Sequence, residues 1–122
     1  MAKSAHIDVL DGAGGVIDAN CNLMTVCNAE PTTRAQAVTD YALADVAMSG
    51  ADFTPATDGT GRKLTVSAKS AVPIDVTGTA THIALVDGTR LLYVTTCTSQ
   101  LLTAGGTVDF PTFAICKIPQ PT

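Results

Sequence analysis

The chain has 122 residues, room for one domain of ordinary size and enough to bury a core without metal or disulfide staples. Only 15% of its residues are charged, against roughly 25% in a typical soluble domain, and 46% are hydrophobic, a composition that suits a β-rich surface partly covered by neighbours. With a net charge of −4, scattered Lys and Arg residues (Arg62-Lys63 is the one doublet) and no Trp, it lacks the clustered cations and stacking platform of a nucleic-acid binder.

The chain order gives an N-terminal arm or short helix over 1–20, a β domain over 21–118 and an extended tail over 119–122, one domain in all. The start has no apolar run of signal-peptide type, and no stretch approaches the ~20 apolar residues of a membrane span, so no membrane partner is expected. From Ile7 to Asn20, Leu10, Ala13, Val16 and Ile17 fall close to one helical face. Gly12, Gly14 and Gly15 interrupt it, each costing about 1 kcal/mol relative to Ala in a helix. Close packing against another backbone explains such glycines as well as flexibility does.

Residues 22–28 read as a strand, with Leu23, Thr25 and Cys27 on one face and Met24 and Val26 on the other. Pro31 and a Thr-capped helical turn over 34–38 follow, then a strand in "ALADVAM" that ends at Ser49-Gly50. In "KLTVSAK" the alternation is strict, placing Leu64, Val66 and Ala68 inward. "VPIDVTG" repeats it with Val72, Ile74 and Val76, and Pro73, lacking an N–H, puts that strand at an edge.

"HIALVDGTRLLYVTTCTSQ" reads as a hairpin turned at Asp87-Gly88, a pair suited to positive φ. Its second strand opens with Leu91, Leu92, Tyr93 and Val94, apolar on both faces, so something must cover the face turned away from the core. A turn at Gly105-Gly106 and a last strand, "FAICKI", complete the set. Seven to eight short, regularly spaced strands predict a mainly β fold, an antiparallel sandwich or small barrel.

Motifs of known chemistry are incomplete. Asp18, Asn20 and Asn22 copy the opening of an EF-hand loop, but Leu23 and Ala29 stand where its Gly and bidentate Glu belong. "DGAGG" and "DGTGRK" lack dinucleotide and phosphate-loop spacing and read as turns. His6 and His82 are without a catalytic motif around them. No enzyme activity, metal or other cofactor is therefore expected. Of the four cysteines, Cys27 and Cys97 fall within strands, where buried thiols act as small hydrophobes. Cys21 at a junction and Cys116 beside the tail are the candidates for cross-links, within the chain or between chains.

"MTVCNAEPTT", "YALADVAM", "GRKLTVSAKSAV" and above all "GTATHIALVDGTRLLYVTTCTSQLLTAGGTVDFP" carry a resemblance across residues 22–115. The chain resembles a family of small proteins encoded by tailed bacteriophages and prophages, chiefly of alphaproteobacteria, whose members are generally taken for virion components. The N-terminal glycines, Cys21 and Cys116 depart from that family's pattern, which weights the two cysteines towards a role particular to this protein.

The resemblance implies a virion protein assembled in the bacterial host cytoplasm, and no catalytic residues come with it. The expected function is non-enzymatic: a capsid decoration or cement protein binding its own copies and the major capsid protein. The alternatives are a neck, collar or tail-fibre component and, from another class, a host-glycan binding module. Candidate interface residues are Ile7, Leu10 and Gly14 in the arm, Leu91 and Tyr93 in the hairpin, and Pro119 and Pro121 in the tail.

Overall fold

The computed structural model describes residues 7–59 and 61–118, with the side chains of residues 7–11, 13, 116 and 118 outside that description. His6, Pro119 and Pro121 lie outside the described residues, as do the side chains of Ile7, Leu10 and Cys116.

Residues Ile7–Asn20 form one continuous helix, α1, in place of a glycine-broken arm. It packs on the strands that follow at 53–66 and 113–118. Ile17 is buried there, and Gly14 lies so close to Leu64 that an added Cβ would stand 3.5 Å from the leucine Cβ. Gly14 is thus a contact inside the chain rather than towards a neighbour. The helix ends where the Asn20 amide donates to the Val16 carbonyl at 2.8 Å and the Cys21 N–H to the Ile17 carbonyl. Asn20 therefore terminates the helix.

Nine strands follow among the described residues: β1 (Leu23–Cys27), β2 (Ala42–Ala47), β3 (Phe53–Asp58), β4 (Gly61–Val66), β5 (Lys69–Pro73), β6 (Gly78–Val86), β7 (Leu91–Leu102), β8 (Thr107–Phe110) and β9 (Phe113–Ile118). All pairings between them are antiparallel. They make a four-stranded sheet in the order β2-β1-β6-β7, a three-stranded sheet β3-β4-β9 and a two-stranded sheet β5-β8. No closed barrel forms among the described residues. The short sheet is tied to β2, whose Leu43 carbonyl accepts from the Asp75 and Val76 N–H groups.

One face of the four-stranded sheet supplies Met24, Val26, Ile83 and Leu85 to a core completed by Phe53, Leu64, Val66 and Ile115 of the three-stranded sheet. Ile17 and Cys21 close it at the helix end. The alternation read in "KLTVSAK" holds for Leu64 and Val66 but stops there, because the Ser67 N–H turns to the Asp52 carbonyl and Ala68 is exposed. Val76 is likewise exposed, three residues beyond the end of β5.

The opposite face of the same sheet carries a second, smaller core: Cys27, Ala84 and Val86, flanked by Leu23, Leu91 and Val94. Residues 29–41 cover it. A single π-helical turn, Gln36–Asp40, sets Ala37 against the sheet with no exposure, and Val38 and Tyr41 pack beside it. The cover is pinned at its base and at its middle. Asn28 N–H donates to the Tyr41 carbonyl at 3.0 Å, and Arg34 Nε donates to the Asp87 carbonyl at 2.7 Å. The doubly apolar hairpin is therefore satisfied within its own chain, and neither a further sheet nor a neighbour is needed on this face.

Candidate functional site

The hairpin turn is built on a carboxylate. Asp87 Oδ1 accepts the Thr89 and Arg90 N–H groups at 2.8 and 2.6 Å, and Oδ2 accepts from Arg90 Nε at 2.7 Å. Gly88 is not among the positive-φ residues, so the expected tight Asp-Gly turn gives way to a four-residue loop, Asp87 to Arg90, organised by its first side chain. The N–H of Thr89 and the guanidinium and N–H of Arg90 hold the Asp87 carboxyl down at about 2. Because Arg34 also grips the Asp87 carbonyl, this loop fastens the cover segment to the hairpin.

The thiols divide by burial. Cys27 has no exposure, with Sγ 3.6 Å from the Ala37 carbonyl, and Cys21 is 4% exposed, with Sγ 3.6 Å from the Leu23 carbonyl. Burial pushes both thiols up, and in each case hydrogen bonding offsets only part of that effect. Cys21 is therefore out of reach of a neighbouring chain unless the helix end opens. Cys97 is half-buried, also pushed up by burial, and all three are unbridged. His82 shares a 2.8 Å hydrogen bond between Nδ1 and Thr81 Oγ1.

The remaining feature is the free side of β7. This strand ends the four-stranded sheet, and its register slips twice against β6, once at Leu92 and again between Thr96 and Gln100, where two extra residues bulge outward. Such bulges re-aim side chains. Here the bulge borders a cleft of about 480 Å³ between β7 and the β8–β9 segment. Val26, Ile83, Phe110 and Phe113 give it an apolar lining, and Thr95 and Gln100 add polar groups. Cys97 lies in it too, but its raised pKa keeps the thiol protonated at neutral pH and so a weak nucleophile.

The cleft and the outer rim of β7 together form a seam along which the two main sheets part. Its chemistry is distinctive by comparison with the other sheet edges. Every other strand with a free edge carries a charge or a proline: Asp45 on β2, Pro55 and Asp58 on β3, Lys69 and Pro73 on β5, Asp109 on β8 and Lys117 on β9. These are the devices by which proteins discourage edge pairing. The twelve residues of β7 include neither. Leu101, at 68% the most exposed large hydrophobic residue described, stands near its end.

Among the expected interface residues, Leu91 and Tyr93 are brought onto this strand, but with side chains half-buried on opposite faces of the sheet. Thr96, Thr98 and Leu101 are also exposed on β7 and were not among the expected contact residues. The signal that finds them is the twelve-residue run without charge or proline, which hydrophobic alternation does not register.

No group of three or more His, Cys, Asp or Glu placed to hold a metal occurs among the described residues, and no helix among them is long and apolar enough to cross a membrane. No protein-family model, curated protein or solved structure matches the chain.

Proposed function

We propose that this chain is a non-enzymatic structural subunit of a tailed-bacteriophage particle, a capsid decoration or cement protein that stabilises the particle through contacts between subunits. The observation that supports this reading is the seam: an uncharged strand edge beside an apolar cleft, on a chain that covers both faces of the same sheet with its own residues. An edge of unpaired N–H and C=O groups next to apolar surface is a contact surface by its chemistry. The virion setting comes from the resemblance over residues 22–115. Its partners are further copies and adjoining virion proteins, and repetition over a lattice adds avidity to contacts that are weak singly.

Quantitative mass spectrometry of purified particles tests the proposal. On the order of hundreds of copies per particle supports capsid decoration; roughly a dozen selects the neck or tail position instead, and absence from the particle refutes both. The cleft favours one second reading, a host-glycan module, since Phe113 faces it together with Thr95 and Gln100. Binding of the isolated chain on a glycan array, abolished by Phe113→Ala, would select that reading.

A further inference from the structure

We infer that the seam is closed by a second copy of this chain, pairing β7 with β7 antiparallel about a two-fold axis. This rests on the structural-subunit reading above and names the partner of that surface.

The edge itself is self-complementary. Any strand presents N–H and C=O groups in a pattern that an antiparallel copy of itself matches, and two-fold symmetry makes the contact isologous. An axis perpendicular to the sheet keeps the core faces of both copies on the same side. The two clefts then face one another, so each copy covers the apolar lining exposed by the other. A bulged edge pairs over short lengths, and the stretch between the two register slips, Tyr93–Thr96, is where the ladder extends.

Charge selects this face among those available. The chain carries −4, so two copies repel wherever acidic surface meets acidic surface. Along β7 there is no charge to repel, and the cleft beside it is lined by a single carboxylate, Asp109. Size agrees as well. Three of the twelve residues of β7 are taken up in the two bulges, so its edge matches the nine residues of β6, roughly 30 Å at about 3.4 Å each. With two layers about 10 Å apart giving a side roughly 20 Å deep, the contact is about 600 Å² per copy, and the pair of them reaches the lower bound of about 1,200 Å² for a specific protein–protein contact.

Sedimentation of the full-length chain across a concentration series is the test. The expected species is a dimer of twice the 12.4 kDa chain mass, predominating by about 100 μM, with amides of Tyr93–Thr96 exchanging more slowly as the dimer fills. Thr96→Lys and Thr98→Lys, both at exposed positions, should each weaken it at least about tenfold, because each sets a charged side chain on the contact edge, the device by which the other edges discourage pairing. Ala47→Lys, exposed on β2 at the far edge of the sheet, should leave it unchanged. Unaltered melting temperatures establish that the variants fold. A wild-type monomer at every concentration overturns the inference, as does a dimer indifferent to both β7 lysines or equally sensitive to Ala47→Lys. None of these outcomes touches the copy number in the particle, which decides the structural-subunit reading separately.

Discussion

The three glycines of α1 provide a quantitative check on the architecture. Around Gly12 and Gly15 an added Cβ meets nothing within 4 Å, so alanine fits at either position without displacing any neighbour. Each replacement removes a helix-interior glycine, worth roughly 0.5–1 kcal/mol. At about 2.1 cal/mol/K of unfolding entropy per residue, the 122-residue chain loses or gains about 4 °C of melting temperature per kcal/mol. Gly12→Ala with Gly15→Ala should therefore raise the midpoint by about 4–8 °C. Gly14 sets the contrast. Its new Cβ would sit at ordinary contact distance from Leu64, so Gly14→Ala is tolerated, whereas Gly14→Leu drives methyl groups into a leucine that is itself buried and should cost about 1–3 kcal/mol. Calorimetric melts of the four variants measure the series. A fall in midpoint for Gly12→Ala or Gly15→Ala would refute the docked helix, since only a non-helical backbone or a covered face makes alanine unfavourable there.

Three further outcomes follow from particular contacts. A Cβ at Gly78 would lie 2.8 Å from Cδ2 of Leu43, which is 1% exposed and has little room to turn, so Gly78→Ala should destabilise by about 1–3 kcal/mol in denaturant unfolding. Asp87 has a folded-state pKa of about 2, below the roughly 3.9 of an unfolded aspartate, so between those values the unfolded chain binds more protons. Its stabilisation is complete above about pH 4 and disappears as pH falls towards 2; Asp87→Asn should flatten that part of a stability–pH curve, and an unchanged slope would show that Asp87 does not carry it. Under native conditions a thiol reagent should modify Cys97 before Cys21 or Cys27, faster as pH rises, with the latter two reacting only on unfolding; peptide mapping that finds Cys27 labelled as early as Cys97 contradicts the pinned cover segment.

The mainly β, antiparallel character was legible because period-two alternation is a direct record of a half-buried strand, as in 63–66. β3 was not legible. Phe53 is its one large apolar residue and Pro55 stands inside it, so its place is fixed by backbone pairing from Thr54↔Thr65 to Asp58↔Gly61 rather than by its own pattern. The hairpin loop misled for a chemical reason. Asp-Gly suits positive φ, but an Asp side chain also accepts backbone N–H groups, and with Arg90 available the second use prevailed. The cover over the second sheet face was invisible because it depends on one small residue, Ala37, in a turn too short to show periodicity, and on Arg34 reaching a carbonyl 53 residues away.

That cover changes where a contact surface has to be sought. From the sequence, the surplus apolar residues at 91–94 called for a cover on the sheet face, another sheet or a neighbouring subunit. In the fold, Val94 and Leu91 pack beside the Gln36–Asp40 turn and Tyr93 and Leu92 beside the main core, so the face requires no partner. What the chain leaves open is the edge. Side chains on a face can be satisfied by a short folded segment, but the outward N–H and C=O groups of a terminal strand need water, a polar side chain or another backbone. Charges and prolines make water the better choice on β2, β3, β5, β8 and β9. On β7 nothing opposes another backbone, and the apolar cleft beside it rewards the exclusion of water. A scarcity of charge spread evenly over this surface would say little about assembly; its complete absence from one twelve-residue edge gives the contact a location.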